Sequence, residues 1–326
     1  MRTKEDICLL CGINKSNATG SHMTPNCLLR KTIGDRERYI NHTIDSSSVS
    51  IETSYGAASS PTTEIKSNPH TYDYVFCKDC ENYFGLLENE ICPFLTENIH
   101  LEKYNGNYEH FTLEENVLLK KATKINSGVL NLFVYSVVWR VCLHQKLSGA
   151  SSIGEEFEKM LSSTLKKYIT KSVKELRNIV VEIPFPYIII TSQDYEVTDG
   201  STINTNHDES NPELIFIGNF IVLMYHNMIA KSKTISTLPD CILSDVCHCD
   251  SVKSGIVFIT AKQWKDINNR FFQREAEIFM NNATSIYSQR KKVPFGIAKL
   301  LLNIHARALS IKNNISFVEA VQILTT

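Results

Sequence analysis

Charge imbalance is the first thing this sequence lacks. Lys and Arg number 34 against 35 Asp and Glu, a formal net charge of −1. A chain so balanced has no global field to attract a polyanion, so any nucleic-acid surface must be a local patch. Long apolar runs are missing too. The longest, GVLNLFVYSVVW at 128–139, is closed by Arg140 and falls short of the roughly 20 residues a bilayer needs. It is predicted to be a buried helix, and no membrane partner is expected. The opening MRTKEDICLL is charged and runs straight into a cysteine motif, unlike a secretory leader, so a cytoplasmic location is expected. There is no phosphate-cradling glycine loop, no dinucleotide fingerprint, no nucleophile elbow and no internal repeat of useful period.

What is present is a globular composition, 43% apolar and 21% charged over 326 residues, enough for two or three compact units. The chain divides by pattern into residues 1–112, 113–178 and 179–326. Within the first part, about 43–70 is rich in Ser and Thr with little apolar periodicity, and reads as a mobile insertion. Residues 74–94 carry a short helical pattern, and 113–147 look helical throughout. Over 153–178, Phe157, Met160, Leu161, Leu165, Ile169, Val173 and Leu176 recur every three or four residues, predicting one long amphipathic helix. Its Lys166, Lys167, Lys171, Lys174 and Arg177 read as a solvated face, with a phosphate-facing surface as the alternative. From 179 to 260 the pattern turns to β. NIVVEIPFPYIIIT, ELIFIGNFIVLMYH and SGIVFIT are strand candidates, the first with an edge or a break at Pro184 and Pro186. A helix over about 261–290 and one or two more complete the chain. The fold class expected is α+β.

Ten cysteines without a leader point to thiols and metal ligands rather than disulfides. Two pairs have C-x-x-C spacing, Cys8 with Cys11 and Cys77 with Cys80. Each knuckle offers two thiolates at the separation one tetrahedral zinc requires, and two knuckles fill the shell. The gap between them is long, but loop length adds only slowly to closure entropy. Zinc held by four thiolates is saturated and inert. Chemistry would need a separate site, and His22 lies between the knuckles while Glu81 and Glu88 stand two turns apart on the helix that Cys80 opens. A His with one or two Glu could hold Mg²⁺ or Mn²⁺ and activate water.

The run CLLCG…SHMTPNCLLRK…VFCKDCENYFGLLE resembles the treble-clef zinc module of HNH, or His-Me finger, endonucleases. It is most similar to a group of uncharacterised bacterial proteins with C-x-x-C…S-H-I-I-P…C-x-x-C-E, whose apolar helix ending in Trp-Arg and Glu-Glu helix look like 131–140 and 154–161 here. The resemblance implies structural zinc on Cys8, Cys11, Cys77 and Cys80. It places His22 as general base and Glu81, with Glu88 near, at the catalytic ion. Arg30, Lys31, Arg36 and Arg38 would position a nucleic-acid backbone, and the activity implied is a metal-dependent nuclease, an effector of anti-phage defence. Ser21 stands where that family often has Asp, and Tyr72 where its Asn is expected. The alternative is a non-catalytic zinc module that binds nucleic acid or a regulatory protein partner.

Other candidates read as structural. Cys27 and Cys92 pack near the knuckles. Cys241 with Cys247-His248-Cys249 has poor metal spacing. Trp139-Arg140 is a core Trp with a satisfied Arg, and His144, His226 and His305 are read as packed side chains.

Overall fold

The structure is a computed structural model. It describes residues 2–25, 27–28, 39–44, 49–54, 71–95, 97–114, 116–148, 154–181, 185–194, 204–205, 213–217, 220–225, 255–313, 315 and 317–325. They form two compact units: Met1–Tyr39 with Ser54–Lys265, and Ile40–Thr53 with Asp266–Thr326.

The first unit is α+β. Its N-terminal part begins with a tight loop closed by an isolated bridge between Ile7 and Lys15. A two-stranded ribbon follows, β1 (Ser21–His22) pairing antiparallel with β4 (Thr71–Tyr72). Helix α1 (Lys78–Leu95) then carries Cys80 in its first turn. Knuckle, ribbon and helix follow one another in this order. Two further strands, β2 (Tyr39–Ile44) and β3 (Val49–Ser54), pair with each other; they fall almost wholly in the second unit, β2 mostly before and β3 within the stretch read as a mobile insertion.

A seven-stranded sheet follows, in the order β5-β6-β11-β7-β10-β9-β8. Its strands are β5 (Tyr108–Glu114), β6 (Val117–Ala122), β7 (Tyr187–Ser192), β8 (Asn204–Thr205), β9 (Glu213–Ile217), β10 (Phe220–Met224) and β11 (Ile256–Ile259). Only β11 and β7 run parallel; the other pairs are antiparallel. Every residue of β7, β10 and β11 is buried, so these central strands read as continuous apolar runs covered on both faces. β7 starts after Pro186, which removes the ring from the ladder. The break suggested at Pro186 is there, Pro184 lies outside the described residues, and the strand is interior rather than an edge.

The apolar run forms helix α2 (Ser127–Ser148). It alone among the described helices is long and apolar enough to cross a membrane, yet 94% of that window is buried inside the protein. Helices α1 and α2, with Phe157, Leu161 and Leu165 of α3 (Glu155–Lys167), share one core with the sheet residues Ile189, Ile215, Phe220, Val222, Ile256 and Phe258. Gly128 lets the start of α2 approach this closely. A Cβ there would lie 2.5 Å from the Ile179 carbonyl oxygen.

Two helix expectations are corrected. Residues 117–122 are strand, not the start of a long helix. Their pairing with both β5 and β11 outweighs the helical preference of Leu, Lys and Ala. Asn116, at φ 66°, makes the turn that separates β5 from β6. The amphipathic pattern of 153–178 is likewise two helices, α3 and the short α4 (Val173–Leu176). Ser172 caps the second by accepting from the Glu175 amide, which ends the continuous ladder. Met160 of α3 and Val173 of α4 face solvent rather than the core.

The second unit contains most of α5 (Ala261–Lys291), then α6 (Phe295–Asn313) and α7 (Phe317–Thr325). Its core is Phe279, Ala283, Tyr287, Ala298, Leu302, Ala306, Ala320 and Val321. His305 is exposed rather than packed, with Nδ1 2.7 Å from the Tyr287 hydroxyl.

Candidate metal centre and adjoining polar cluster

The two knuckles meet. The sulfurs of Cys8, Cys11, Cys77 and Cys80 are all buried and lie within 4.8 Å of one another. Local backbone chemistry explains each half. The Cys8–Cys11 loop turns back through Gly12, whose φ of +67° is a left-handed conformation that glycine takes without strain. The Gly12 amide donates to the Cys8 carbonyl at 3.0 Å and the Cys8 amide to the Asn14 carbonyl at 2.8 Å. The second pair sits at the start of α1, where the Glu81 amide closes the first turn on the Cys77 carbonyl. The halves are joined by main-chain bonds, Leu9 amide to Val75 carbonyl at 3.0 Å and Ala18 amide to Phe76 carbonyl at 3.1 Å.

The donor set fits a metal ion and is compatible with structural zinc. A tetrahedral ion with zinc–sulfur bonds of about 2.3 Å spaces its thiolates by about 3.8 Å, and Cys11 Sγ lies 3.9 Å from Cys77 Sγ. Charge on sulfur is supported from outside the shell. The Asn14 amide reaches Cys11 Sγ at 3.5 Å, and the Asn14 side chain reaches Cys77 Sγ at 3.8 Å. The Cys8 thiol is held down to about 4, first by the Cys80 thiol and then, against burial, by the amides of Cys11, Cys77 and Leu10. Cys80 is pushed up in turn, as the group that keeps the shared proton, and Cys77 is pushed up by burial. Four thiols this close cannot all ionise without a cation among them.

Beside the thiols is a second cluster, centred on Arg140 of α2. Its side chain is 2% exposed. Nη1 donates to Glu88 Oε1 at 2.8 Å and to the His22 main-chain carbonyl at 3.1 Å, Nε donates to the Ser136 carbonyl at 3.3 Å, and the guanidinium lies 4.6 Å over the Phe84 ring. His22 comes from β1, where it stands opposite Thr71. Burial lowers the affinity of its imidazole for a proton; the Glu88 charge opposes that and the Arg140 charge adds to it. The carboxylate felt by the imidazole is thus that of Glu88. Glu81, one residue after Cys80, is pushed up mainly by burial, with the Ser21 hydroxyl and Arg140 opposing. Two buried atoms of the cluster lack a hydrogen-bond partner: Glu81 Oε1 and Arg140 Nη2.

The residues singled out in the sequence are therefore placed as follows. The four thiols come together, and they alone group as metal ligands among the described residues. Arg140 bonds Glu88 and the His22 main-chain carbonyl, the His22 imidazole feels the Glu88 charge, and Glu81 feels the charges of Arg140 and Glu88. Arg30, Lys31, Arg36 and Arg38 lie outside the described residues, as do Cys241, Cys247, His248, Cys249 and His226. Lys171 and Arg177 are exposed, as a solvated face should be, though each pairs with α1: Lys171 with Asp79 at 2.8 Å, and Arg177 with both oxygens of Glu90 at 2.7 and 2.8 Å. Trp139 and Arg140 are core residues, as read, though Arg140 is only partly satisfied, its Nη2 having no hydrogen-bond partner. Arg140's role as the hub was not legible, because its partners are 52 and 118 residues away. His144, one turn on from Arg140, is buried and meets the Tyr72 ring edge-on at 5.6 Å.

One cysteine expectation is corrected. Cys27 and Cys92 are joined in a disulfide with Cα atoms 6.1 Å apart, where packed thiols were expected. The ribbon brings the segment after His22 onto the last turn of α1, within bonding reach. Sequence spacing carries no signal of this, since the two are 65 residues apart.

No protein family, no curated protein and no solved structure matches this chain, so the likeness to HNH endonucleases rests on its own residues.

Proposed function

We propose that the N-terminal part of the first unit is a zinc-scaffolded site that cleaves nucleic-acid phosphodiesters with the help of a second, divalent ion. The observation that carries this reading is the gathering of His22, Glu81 and Glu88 around Arg140, against the four-thiol cluster. In this reading His22, whose imidazole burial keeps neutral, takes a proton from water. Glu81, with one buried carboxylate oxygen unpartnered, holds Mg²⁺ or Mn²⁺. Such an ion supplies charge opposite the scissile phosphate and its leaving oxygen. Glu88 is held by Arg140 and sets its negative charge against the imidazole. Arg30, Lys31, Arg36 and Arg38 bind the phosphate backbone. A role as an anti-phage effector, restrained by a protein partner in the cytoplasm, belongs to the same proposal.

One observation favours a second reading. Arg140 neutralises Glu88 with a short, largely buried ion pair, which leaves less negative charge for a cation. In that case the zinc module is a non-catalytic element that binds nucleic acid or a protein partner. Incubating supercoiled plasmid and single-stranded RNA with the native protein, His22→Ala and Glu81→Ala, in Mg²⁺ and in Mn²⁺, separates the two. Cleavage by the native protein that both variants lose supports the nuclease. No cleavage under any condition, with binding retained by gel shift, supports the binding module.

A further inference from the structure

Helix α6 is seated on its unit by Ala298, Leu302 and Ala306, all fully buried against Phe279, Tyr287 and Val321. Its opposite side carries a second apolar row. Ile297 is 51% exposed, Leu300 62%, Ile304 52% and Ile311 84%. Steps of three, four and seven residues place the four on one line along the helix, and Arg307 takes the intervening position of the same heptad. The spacing is that of the a and d positions along which one helix packs against another.

The sequence that carries the row is basic. Between Glu277 and Glu319 the sequence has no acidic residue, while Arg290, Lys291, Lys292, Lys299, Arg307 and Lys312 are all cationic. Lys299, Arg307 and Lys312 are exposed on α6 itself. A second copy of the chain would set these cations against themselves, whereas a helix with acidic flanks would neutralise them. Near its C-terminal end the row opens into a groove lined by Asn303, Arg307, Ser310, Ile311 and Phe317, which offers a carboxylate a guanidinium beside an apolar floor.

We propose that this face of α6 docks an amphipathic α-helix of a partner protein, one with an apolar heptad seam flanked by Glu or Asp. The proposal stands apart from the chemistry suggested at His22 and does not depend on it.

The test uses the full-length protein and a fluorescein-labelled peptide of about three heptads, with Leu at the seam positions and Glu at the flanks. Repulsion between its own flanks keeps that peptide from pairing with itself. Fluorescence anisotropy should rise to saturation with the Glu-flanked peptide and stay flat with a Lys-flanked one. Leu300→Glu with Ile304→Glu should weaken binding roughly thirtyfold with the far-UV circular dichroism unchanged. Ile311→Glu alone should weaken it as well; that side chain is too exposed for its loss to disturb folding. Arg307→Glu with Lys312→Glu should weaken the Glu-flanked peptide and admit the Lys-flanked one. Absence of saturable binding, or equal binding of both peptides, overturns the proposal. So does stronger association with phosphatidylserine vesicles than with the peptide, which would make the row a membrane face. A concentration-dependent dimer in sedimentation velocity that Ile304→Glu abolishes would make it a self-interface and overturn it too.

Discussion

Removing Glu88 should harm the protein more than removing Arg140, although Arg140 is the more deeply buried of the two. The side chain of Arg140 is 2% exposed and that of Glu88 24%. In Glu88→Ala the guanidinium stays where it is, with carbonyl partners at Ser136 and His22 but no bonded counter-charge; the Glu81 carboxyl it also feels is pushed by burial towards its neutral form. Stranding one member of a buried pair costs about 3–5 kcal/mol. In Arg140→Met the remaining carboxylate can turn towards water, and the thioether can occupy the space over Phe84. What is lost is chiefly the bond to the His22 carbonyl, about 1–2 kcal/mol. Arg140→Met with Glu88→Ala removes both charges and should cost less than Glu88→Ala alone. At about 2–4 °C per kcal/mol, Glu88→Ala should melt roughly 6–20 °C below the native protein. Urea titration and thermal circular dichroism of the three variants measure this. A cost below about 1 kcal/mol for Glu88→Ala, or a double variant equal to the sum of the singles, would refute the idea that Glu88 is the counter-charge of Arg140.

Three further outcomes are expected. Protein purified under reducing conditions should carry one zinc per chain by elemental analysis, and Cys77→Ser should lose it. Because structural zinc contributes about 10–16 kcal/mol of binding energy, the N-terminal module should then lose its protection from proteolysis; metal-free native protein would count against the four-thiol site. Burial holds the His144 imidazole down at about 4, from 6.5. The unfolded chain therefore binds the extra proton first, so this contribution is complete above pH 6.5 and is lost as pH falls towards 4. It amounts to about 3 kcal/mol; His144→Leu should flatten the stability profile over that window, and an unchanged profile would show that His144 is not buried neutral. Finally, the Cys27–Cys92 bond closes a separation of 65 residues, worth about 4 kcal/mol on chain-entropy grounds. Non-reducing peptide mapping should find it, and Cys27→Ser should lower the urea midpoint under oxidising conditions only.

How much of this was legible beforehand depends on distance along the chain. The knuckles were legible because two residues between thiols fix their separation whatever surrounds them. Helix α2 was legible because an uninterrupted apolar stretch has nowhere to go but inside. Strands β7, β9, β10 and β11 announced themselves through β-branched residues bounded by Pro, Gly and Asn. The break between α3 and α4 was also written locally, in the Ser172-x-x-Glu175 box, and was outweighed by a periodicity that continues across it.

Side-chain chemistry at short range thus settled which residues could bind metal, which segments were apolar and where turns fell. It did not settle which distant groups meet. The convergence of Cys8 and Cys11 on Cys77 and Cys80 needs the pairing of Ser21 with Tyr72 and the main-chain bonds beside it. The capture of Glu88 and the His22 carbonyl by Arg140, the disulfide from Cys27 to Cys92, and the strand state of 117–122 between β5 and β11 all depend on contacts with no local signature. Their energies belong to pairs that exist only once the core has closed, so a single stretch read alone holds no trace of them.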